Sequence, residues 1–239
     1  MQSADGSWKV AKNGEAITAG QRMRTGALSS ATLAFYDGSQ ARLGPNTEVS
    51  VDTLDAQKSG PRIILMTQWL GDSDHEVVSS TEPGSRYEVT TPSGTSAAKG
   101  TKFHVFVSST LLVRFNVDEG EVAVTSLNTT VVVIPGKSTL IVAGQAPSEP
   151  MFRLAGEGEV FQIGGTWRIG GEWLWTNANT VIVGEPQVGD WVVFEGRFFP
   201  DGSRFADRII FLRHTVRNQF AFTGRVEAIG ATWTIGGRT

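Results

Sequence analysis

Short runs of alternating apolar and polar residues, separated by turn residues, make up most of this 239-residue chain. The runs are rich in Val, Phe, Leu and Thr, which favour extended backbone. No stretch as long as an ordinary helix shows 3.6-residue periodicity, and the best helical candidate is the short segment Ser93–Lys99. The pattern predicts an all-β fold. Its clearest strands are Thr32–Tyr36, Arg62–Met66, Phe103–Ser108, Leu111–Val117, Glu121–Thr125 and Thr130–Ile134.

Turn residues fall between these runs at regular intervals. Asp37-Gly38 separates LAFY from SQARL, and Asp201-Gly202 separates EGRFFP from SRFADRIIF. An Asp-Gly pair between two strand-like runs favours a two-residue hairpin turn, in which both central residues have positive φ. We therefore expect a tight hairpin at each of these two positions.

The second half of the chain differs from the first and contains an internal repeat. A Pro-containing polar stretch, GQAPSEP, ends at Pro150, and five of the seven Trp residues lie beyond it. Gly158–Gly171 and Gly224–Gly237 are identical at nine of 14 positions. This organisation predicts a β domain over residues 1–146, a linker at 147–155, and a β-barrel over 156–239 with a partial second repeat at 222–239.

Composition excludes several classes of function. The net charge of −3 gives no sign of nucleic-acid binding, because a general binder of phosphates is normally basic. With no cysteine, the chain has no disulfide and no thiolate chemistry. No apolar run approaches the ~20 residues of a membrane-spanning helix, so we expect no membrane span in this chain. The opening MQSADGSWKV lacks the apolar segment of a signal peptide, so an export signal is expected to be absent from this sequence.

A series of motifs in the first part resembles the FecR-type regulator domain, in order and in spacing, over residues ~8–145. The matching residues are Trp8, Val10, Gly14, Gly20, Arg22, Arg24, Thr25, Gly26, Ala31, Leu33, Phe35, Asp37, Gly38, Ser39, Arg42, Leu43, Gly44, Pro45, Thr47, Thr91, Pro92, Gly100–Val105, Glu119, Gly120, Glu121, Val122, Gly136 and Gly144. The resemblance implies a β-sandwich or β-roll outside the cytoplasmic membrane that contacts other envelope proteins. Anti-sigma activity is not carried over, since the chain shows no cytoplasmic helical segment.

The second part resembles a small OB-like β-barrel repeat of unknown function. The matching residues are Gly158, Val160, Ile163, Trp167, Ile169, Thr180, Ile182, Gly184, Val188, Gly189, Asp190, Val192, Gly196, Asp201, Gly202 and Ala206. The repeat at 222–239 has two possible roles. It could close the barrel begun at Gly158, or it could add strands to a neighbouring subunit.

No catalytic constellation is evident, and we expect no enzyme activity, no cofactor and no metal. His75, His104 and His214 are far apart, and the alternation around His104 places it toward solvent. Asp72–Glu76 offers oxygens for calcium but lacks the glycine and distal glutamate of a calcium loop, so a solvated turn is the better interpretation. Trp173 and Trp175 share one face of a strand, where barrel core or an inter-domain contact is favoured over stacking of a sugar or base.

The sequence therefore predicts a non-enzymatic, extracytoplasmic protein-interaction module of FecR type, in the periplasm, at the cell surface or secreted, acting in envelope sensing or scaffolding. Its partners would be other envelope proteins or copies of itself, with a homo-oligomer as one possibility. The alternative is a structural subunit of an extracellular filament joined by β-strand addition. The candidate interface residues are Trp173, Trp175, Phe222, Arg225, Val226, Ile229, Trp233 and Ile235.

Overall fold

A computed structural model describes residues 1–2, 6–56, 60–199, 201–214, 226–228 and 234–235. Its described part is all-β and contains no helix, as predicted. The strands are β1 (Gln21–Arg24), β2 (Ala31–Ala34), β3 (Gln40–Leu43), β4 (Glu48–Ala56), β5 (Arg62–Glu76), β6 (Arg86–Thr90), β7 (Thr95–Ala98), β8 (Lys102–Val107), β9 (Val113–Glu119), β10 (Val122–Ser126), β11 (Thr129–Val133), β12 (Lys137–Ile141), β13 (Met151–Gln162), β14 (Thr166–Ile169), β15 (Glu172–Trp175), β16 (Val181–Val183), β17 (Trp191–Phe198), β18 (Arg204–Arg213), β19 (Val226–Ala228) and β20 (Thr234–Ile235).

The first twelve strands form two packed sheets that share strand β5. Sheet 1 has the order β1-β4-β5-β6-β7-β10-β11, and sheet 2 has the order β2-β3-β5-β8-β9-β12. The first half of β5 pairs with β4, and the second half pairs with β8. The strand passes from one sheet to the other at Gly71, whose φ is +90°. A Cβ added at this glycine would lie 2.5 Å from the Thr47 Cα. Only glycine fits this crossing without strain.

Alternating residues of the two sheets fill the space between them. Phe103 and Val105 are both buried and share a face of β8, as the alternation predicts. On the next strand Phe115 is fully buried and pairs with Val105. The cluster also includes Leu33, Leu43, Val49, Val51, Ile64, Met66, Tyr87, Val89, Val113, Val117, Val122, Val124, Val133 and Ile141. This continuous core makes the first part of the chain a β-sandwich.

Two local segments of the sandwich differ from what the sequence favoured. The best helical candidate, Ser93–Lys99, contains strand β7, which pairs with β6 and β10 on its two sides. The segment interpreted as a solvated turn, Asp72–Glu76, is the second half of strand β5. In both cases long-range pairing with neighbouring strands decides the conformation, and local sequence carries little of that information.

Hairpins form at both Asp-Gly positions, but the turn differs from the predicted two-residue form. The Phe35 N–H donates to the Ser39 carbonyl at 2.9 Å, and only Gly38, with φ +88°, has a positive φ in this loop. The hairpin between β17 and β18 repeats this arrangement, since Phe199 N–H donates to the Ser203 carbonyl at 2.9 Å and Gly202 has φ +87°. The first is a three-residue loop in which glycine follows residues of ordinary φ, and the second has the same closing bond and a glycine of positive φ directly before Ser203.

Five strands of the second part close into a small barrel, which confirms the predicted barrel architecture. The ring runs β13-β14-β15-β18-β17 and returns to β13, with a parallel β15–β18 contact. Val160, Trp167, Leu174 and Phe194 are among its buried residues. The described strands close this ring without residues 222–239, most of which lie outside the described residues, so both possible roles of this segment stay predictions. Within the segment, β19 and β20 pair with each other.

The barrel follows the sandwich without a break in the sheet. Strand β13 begins at Met151, inside the segment predicted as a linker, and its first residues pair with β12 through Lys137↔Phe152 and Ser138↔Met151. Sheet 2 therefore continues into the barrel wall. The division into residues 1–146, 147–155 and 156–239 stays a prediction.

The register of β15 decides which of its aromatic residues is exposed. Leu174 is fully buried, whereas Trp173 and Trp175, on the opposite face, are 48% and 51% exposed. Of the two favoured interpretations of these tryptophans, barrel core is therefore wrong, and an inter-domain contact stays a prediction. The large size of Trp did not show which face of β15 is buried, because alternation along a strand permits either face to be buried.

Replacing Leu174 by alanine should lower the free energy of unfolding by about 2–5 kcal/mol, because it leaves a cavity in the barrel. The Trp173→Ala substitution on the opposite face should cost less, because about half of that side chain is already solvated. Urea unfolding of both variants checks this pair. Equal losses would show that the two residues do not face opposite sides.

A buried histidine lies inside the sandwich. The His75 ring bonds to the Ser73 hydroxyl at 2.7 Å and to the Tyr87 hydroxyl at 2.8 Å, and it stacks on Phe103 at 4.7 Å. Burial, with a smaller contribution from the charge of His104, lowers the pKa of His75 to about 3. The ring is therefore neutral in the folded protein at neutral pH.

Since the pKa of His75 is lower in the folded state, the unfolded state binds more protons between pH ~6.5 and ~3, and stability falls as pH decreases through that window. Wild-type protein should lose about 2–3 kcal/mol more than His75→Phe between about pH 7 and about pH 4.5. Urea unfolding at both pH values measures the difference. The variant also leaves the hydroxyls of Ser73 and Tyr87 without their histidine partner, which lowers its stability at every pH. The comparison therefore uses the change in the free energy of unfolding with pH in each protein. Identical changes would contradict a lowered pKa of His75.

Candidate functional site

The outer face of sheet 2 is unusually polar and is covered by the barrel. On β9, the buried core residues Val113, Phe115 and Val117 alternate with Arg114 and Asn116, which point away from the sandwich core. Arg114 is 2% exposed and Asn116 is 7% exposed. A polar sheet face buried this far needs polar partners on the element that covers it.

The barrel supplies a partner for Arg114, and two ion pairs connect the sandwich with the barrel. Arg114 donates through Nη2 to the Glu195 carboxylate on β17. Arg208 on β18 donates through Nη1 to Asp72 Oδ1 at 3.0 Å. Both guanidinium groups lie near the Phe106 ring, whose centre is 4.6 Å from the Arg208 Cζ and 5.6 Å from the Arg114 Cζ. These five residues, which we name the junction cluster, join the sandwich to the barrel.

His104 extends the junction cluster on the sandwich side. Its Nε2 lies 3.1 Å from Asp72 Oδ1, and its Nδ1 lies 3.4 Å from Asn116 Nδ2. The prediction that His104 faces solvent is therefore wrong, since the barrel half-buries this side of the strand. Asp72 Oδ1, an oxygen of the segment that could have offered calcium ligands, is engaged by His104 and Arg208. Among the described residues, no three His, Asp or Glu side chains are grouped so that they could hold a metal ion.

Burial and neighbouring charges have opposite effects on the pKa values of the carboxylates in and near the junction cluster. Burial alone would raise the pKa of Asp72, but the hydrogen bond with His104 and the charge of Arg208 outweigh it, so this pKa is lowered. The same balance holds for Glu195, where Arg114 opposes burial and the pKa is also lowered. At Asp207 burial dominates over the neighbouring Arg197, and the pKa is raised. The two carboxylates that join the parts are thus held in their charged forms.

A cleft of about 360 Å³ opens beside the junction cluster. The sandwich contributes the β3–β4 turn and the end of β8, and the barrel contributes the loop before β16. Its wall contains the Asp72–Arg208 pair, the hydroxyl of Thr110 and the amide of Asn179. The wall holds no nucleophile next to a general base, so its composition does not indicate catalysis.

The barrel carries an exposed group of aromatic and apolar side chains around one cation. Phe161, Ile163, Trp173 and Trp175 are each 42–51% exposed. The Arg168 guanidinium lies 5.4 Å from the Phe161 ring centre and 5.7 Å from that of Trp173. We name these five residues the aromatic surface. Exposed aromatic residues beside arginine are typical of protein-contact sites, where Trp and Arg dominate binding energy.

The structure brings together only part of the predicted interface. Trp173 and Trp175 lie side by side on the aromatic surface, and Val226 pairs with Ile235 between β19 and β20. Phe222, Arg225, Ile229 and Trp233 lie outside the described residues. A filament joined through residues 222–239 therefore stays a prediction.

Sequence reasoning missed Phe161, Arg168 and the whole junction cluster. The alternation Thr166-Trp167-Arg168 could have placed Arg168 outside the barrel, because Trp167 is buried. The junction pairs offered no such signal. Arg114 and Glu195 are 81 positions apart, and Asp72 and Arg208 are 136 positions apart.

Comparisons with known proteins found one family match, which lies within the first part of the chain. Residues 21–123 match the model of the family described as FecR protein. This match confirms the FecR resemblance predicted for the sandwich. No curated protein matched the chain significantly. The likeness of the barrel to OB-like repeats stays a prediction.

Two crystal structures of candidate anti-sigma factors from Parabacteroides distasonis are similar to the chain. The first is 16% identical with a TM-score of 0.45, and the match covers 54% of this chain and 59% of that protein. The second is 14% identical with a TM-score of 0.48, and the match covers 82% of this chain and all of that protein. The chain thus spans less than two thirds of the first of these structures. In the described part of this chain, no helix has the length and apolar character needed to cross a membrane.

Replacing Glu195 by glutamine should lower the free energy of unfolding by about 1–3 kcal/mol, because it leaves the buried Arg114 charge without its partner. The loss is smaller than for a fully buried pair, since the Glu195 side chain is 34% exposed. The matched control is Asp118→Asn, which removes a more exposed pair with Arg153 and should cost about 1 kcal/mol or less. Urea unfolding of both variants compares the two effects. A Glu195→Gln cost no greater than that of the control would contradict a structural role for the junction cluster.

Proposed function

We propose that this chain is a non-enzymatic regulatory module of FecR type that acts outside the cytoplasmic membrane, in sensing of envelope signals, by binding another envelope protein. The observation that carries the proposal is the FecR match over residues 21–123. That match supports a regulatory role in the cell envelope. The extracytoplasmic location and the nature of the partner are parts of the proposal.

The aromatic surface supports a protein rather than a small molecule as the partner. Its four apolar side chains are half-exposed on the outside of a closed barrel, and Arg168 lies between two of the rings. A convex face of this kind does not enclose a ligand, whereas ligand pockets are concave and bury most of the bound molecule. Burial of Trp173 and Trp175 against a partner would remove a large apolar area from water.

The junction cluster supports the same proposal through the position of the barrel. Because Arg114–Glu195 and Arg208–Asp72 connect the barrel to the FecR sandwich, the aromatic surface is held in a defined orientation relative to it. A pre-oriented surface loses less conformational entropy on binding than one on a loose linker. We propose that the barrel presents the contact and the sandwich carries the regulatory connection.

Site-specific cross-linking in cells of the source organism tests the proposal. A photo-reactive amino acid at Trp173, in the full-length gene product, should capture a discrete protein of the envelope fraction, because this position lies in the aromatic surface. The matched control is the same amino acid at Leu28, which is 100% exposed and lies on the sandwich. Fractionation and mass spectrometry identify the captured protein.

Loss of the cross-link in a Trp175→Ser, Arg168→Ser background would support direct contact through the aromatic surface. Equal capture at Leu28 and Trp173, or capture of cytosolic proteins alone, would overturn the proposal.

A further inference from the structure

Strand β11 is the last strand of sheet 1 and has a free edge. Within the described part of the chain it pairs with β10 alone, in an unbroken register from Ser126↔Thr129 to Val122↔Val133. A two-residue turn joins the strands, and both of its residues, Leu127 and Asn128, have positive φ. In such a hairpin the residues that flank the turn exchange both backbone hydrogen bonds, and the bonding alternates from there.

This alternation fixes which backbone groups of β11 face outward. Thr129, Val131 and Val133 direct their N–H and C=O groups to β10, so Thr130 and Val132 direct theirs to the free edge. Thr130 is exposed, and Val132 is 52% exposed. None of the described residues forms a backbone bond with this side of Thr130 or Val132. The edge therefore presents two donors and two acceptors to a further strand.

The edge lacks the features that usually prevent strand addition. Proteins protect free edges with charged residues, proline, bulges or very short strands. From Ser126 to Ile134 the chain carries no charge and no proline, and the β10–β11 register has no bulge. At the other end of sheet 1, strand β1 carries Arg22 and Arg24, and the Gln2 N–H donates to the Arg22 carbonyl at 2.8 Å. The β1 edge of sheet 1 is thus protected against strand addition, whereas the β11 edge is not.

We propose that two copies of this chain pair through β11, antiparallel, about a two-fold axis at Val131. In this register Thr130 of each copy lies opposite Val132 of the other. All four outward groups of each strand are then satisfied by four hydrogen bonds across the axis. The two seven-stranded sheets join into one continuous sheet.

A second copy fits this edge because the edge complements itself. Every residue of β11 is β-branched, and the register pairs Thr130 with Val132 and Val131 with Val131, so no charge opposes another. An isologous pair of this kind closes on itself and does not propagate. The inference is independent of the aromatic surface, which belongs to the barrel and not to sheet 1.

Sedimentation of the wild-type protein over a concentration series up to about 1 mM tests the pairing, with dimer mass expected at the upper end. Val132→Pro removes an outward donor from each copy without removing a bond to β10, so the dissociation constant should rise at least about tenfold. The control Val132→Thr keeps a β-branched side chain and the N–H, and should dimerise like wild type. A wild-type monomer throughout, or an unchanged dimer in Val132→Pro, would overturn the proposal.

Cysteine cross-linking locates the axis and does not depend on whether the proline variant folds well. The chain has no cysteine of its own, so a single introduced thiol reports one position. Val131→Cys should form an intermolecular disulfide under mild oxidation, because facing residues in an antiparallel pair lie at a distance that a disulfide spans. Val132→Cys should form much less. Absence of cross-linking at 131, or preferential cross-linking at 132, would overturn the two-fold at Val131.

Discussion

The crossing of β5 from one sheet to the other is the constraint on which the rest of the structure depends. The strand can serve both sheets only because Gly71 adopts a positive φ against the backbone of Thr47. The Thr47 hydroxyl then accepts a hydrogen bond from the Asp72 N–H at 2.9 Å and donates to the Asp72 carbonyl at 3.0 Å. The crossing thus holds Asp72 in place directly after the bend. Asp72 in turn receives Arg208 of the barrel, so the geometry of one strand determines where the second part attaches.

The attachment is polar on both sides, which is unusual for two packed parts of one chain. Arg114 is almost fully buried, and its charge is compensated by Glu195 on the barrel and by the nearby ring of Phe106. Ion pairs of this kind add little net stability but penalise every arrangement that separates them. Together with the sheet continuity through β12 and β13, they favour one orientation of the barrel on the sandwich. Under the proposed function, this fixed orientation would allow contact on the barrel to affect the sandwich.

The two contact regions occupy different parts of this frame. The aromatic surface lies on the outside of the barrel, which extends sheet 2, whereas β11 ends sheet 1. They also differ in chemistry. The first offers aromatic rings around Arg168, which suit a foreign protein surface, and the second offers backbone groups, which suit only another strand. Occupation of one contact region therefore does not require the other to be empty.

The sequence by itself determined the fold class, several strand segments and the FecR resemblance, because alternation, turn residues and motif spacing are local properties of the chain. It also identified Trp173 and Trp175 as a pair on one face. Only the tertiary structure decided that this face is outside, that β5 continues through Asp72–Glu76, and that 95–98 is a strand. Those outcomes depend on which distant segment lies alongside. The junction pairs depend on contacts across 81 and 136 positions, and free edges such as that of β11 exist only once the strand order of the sheet is set.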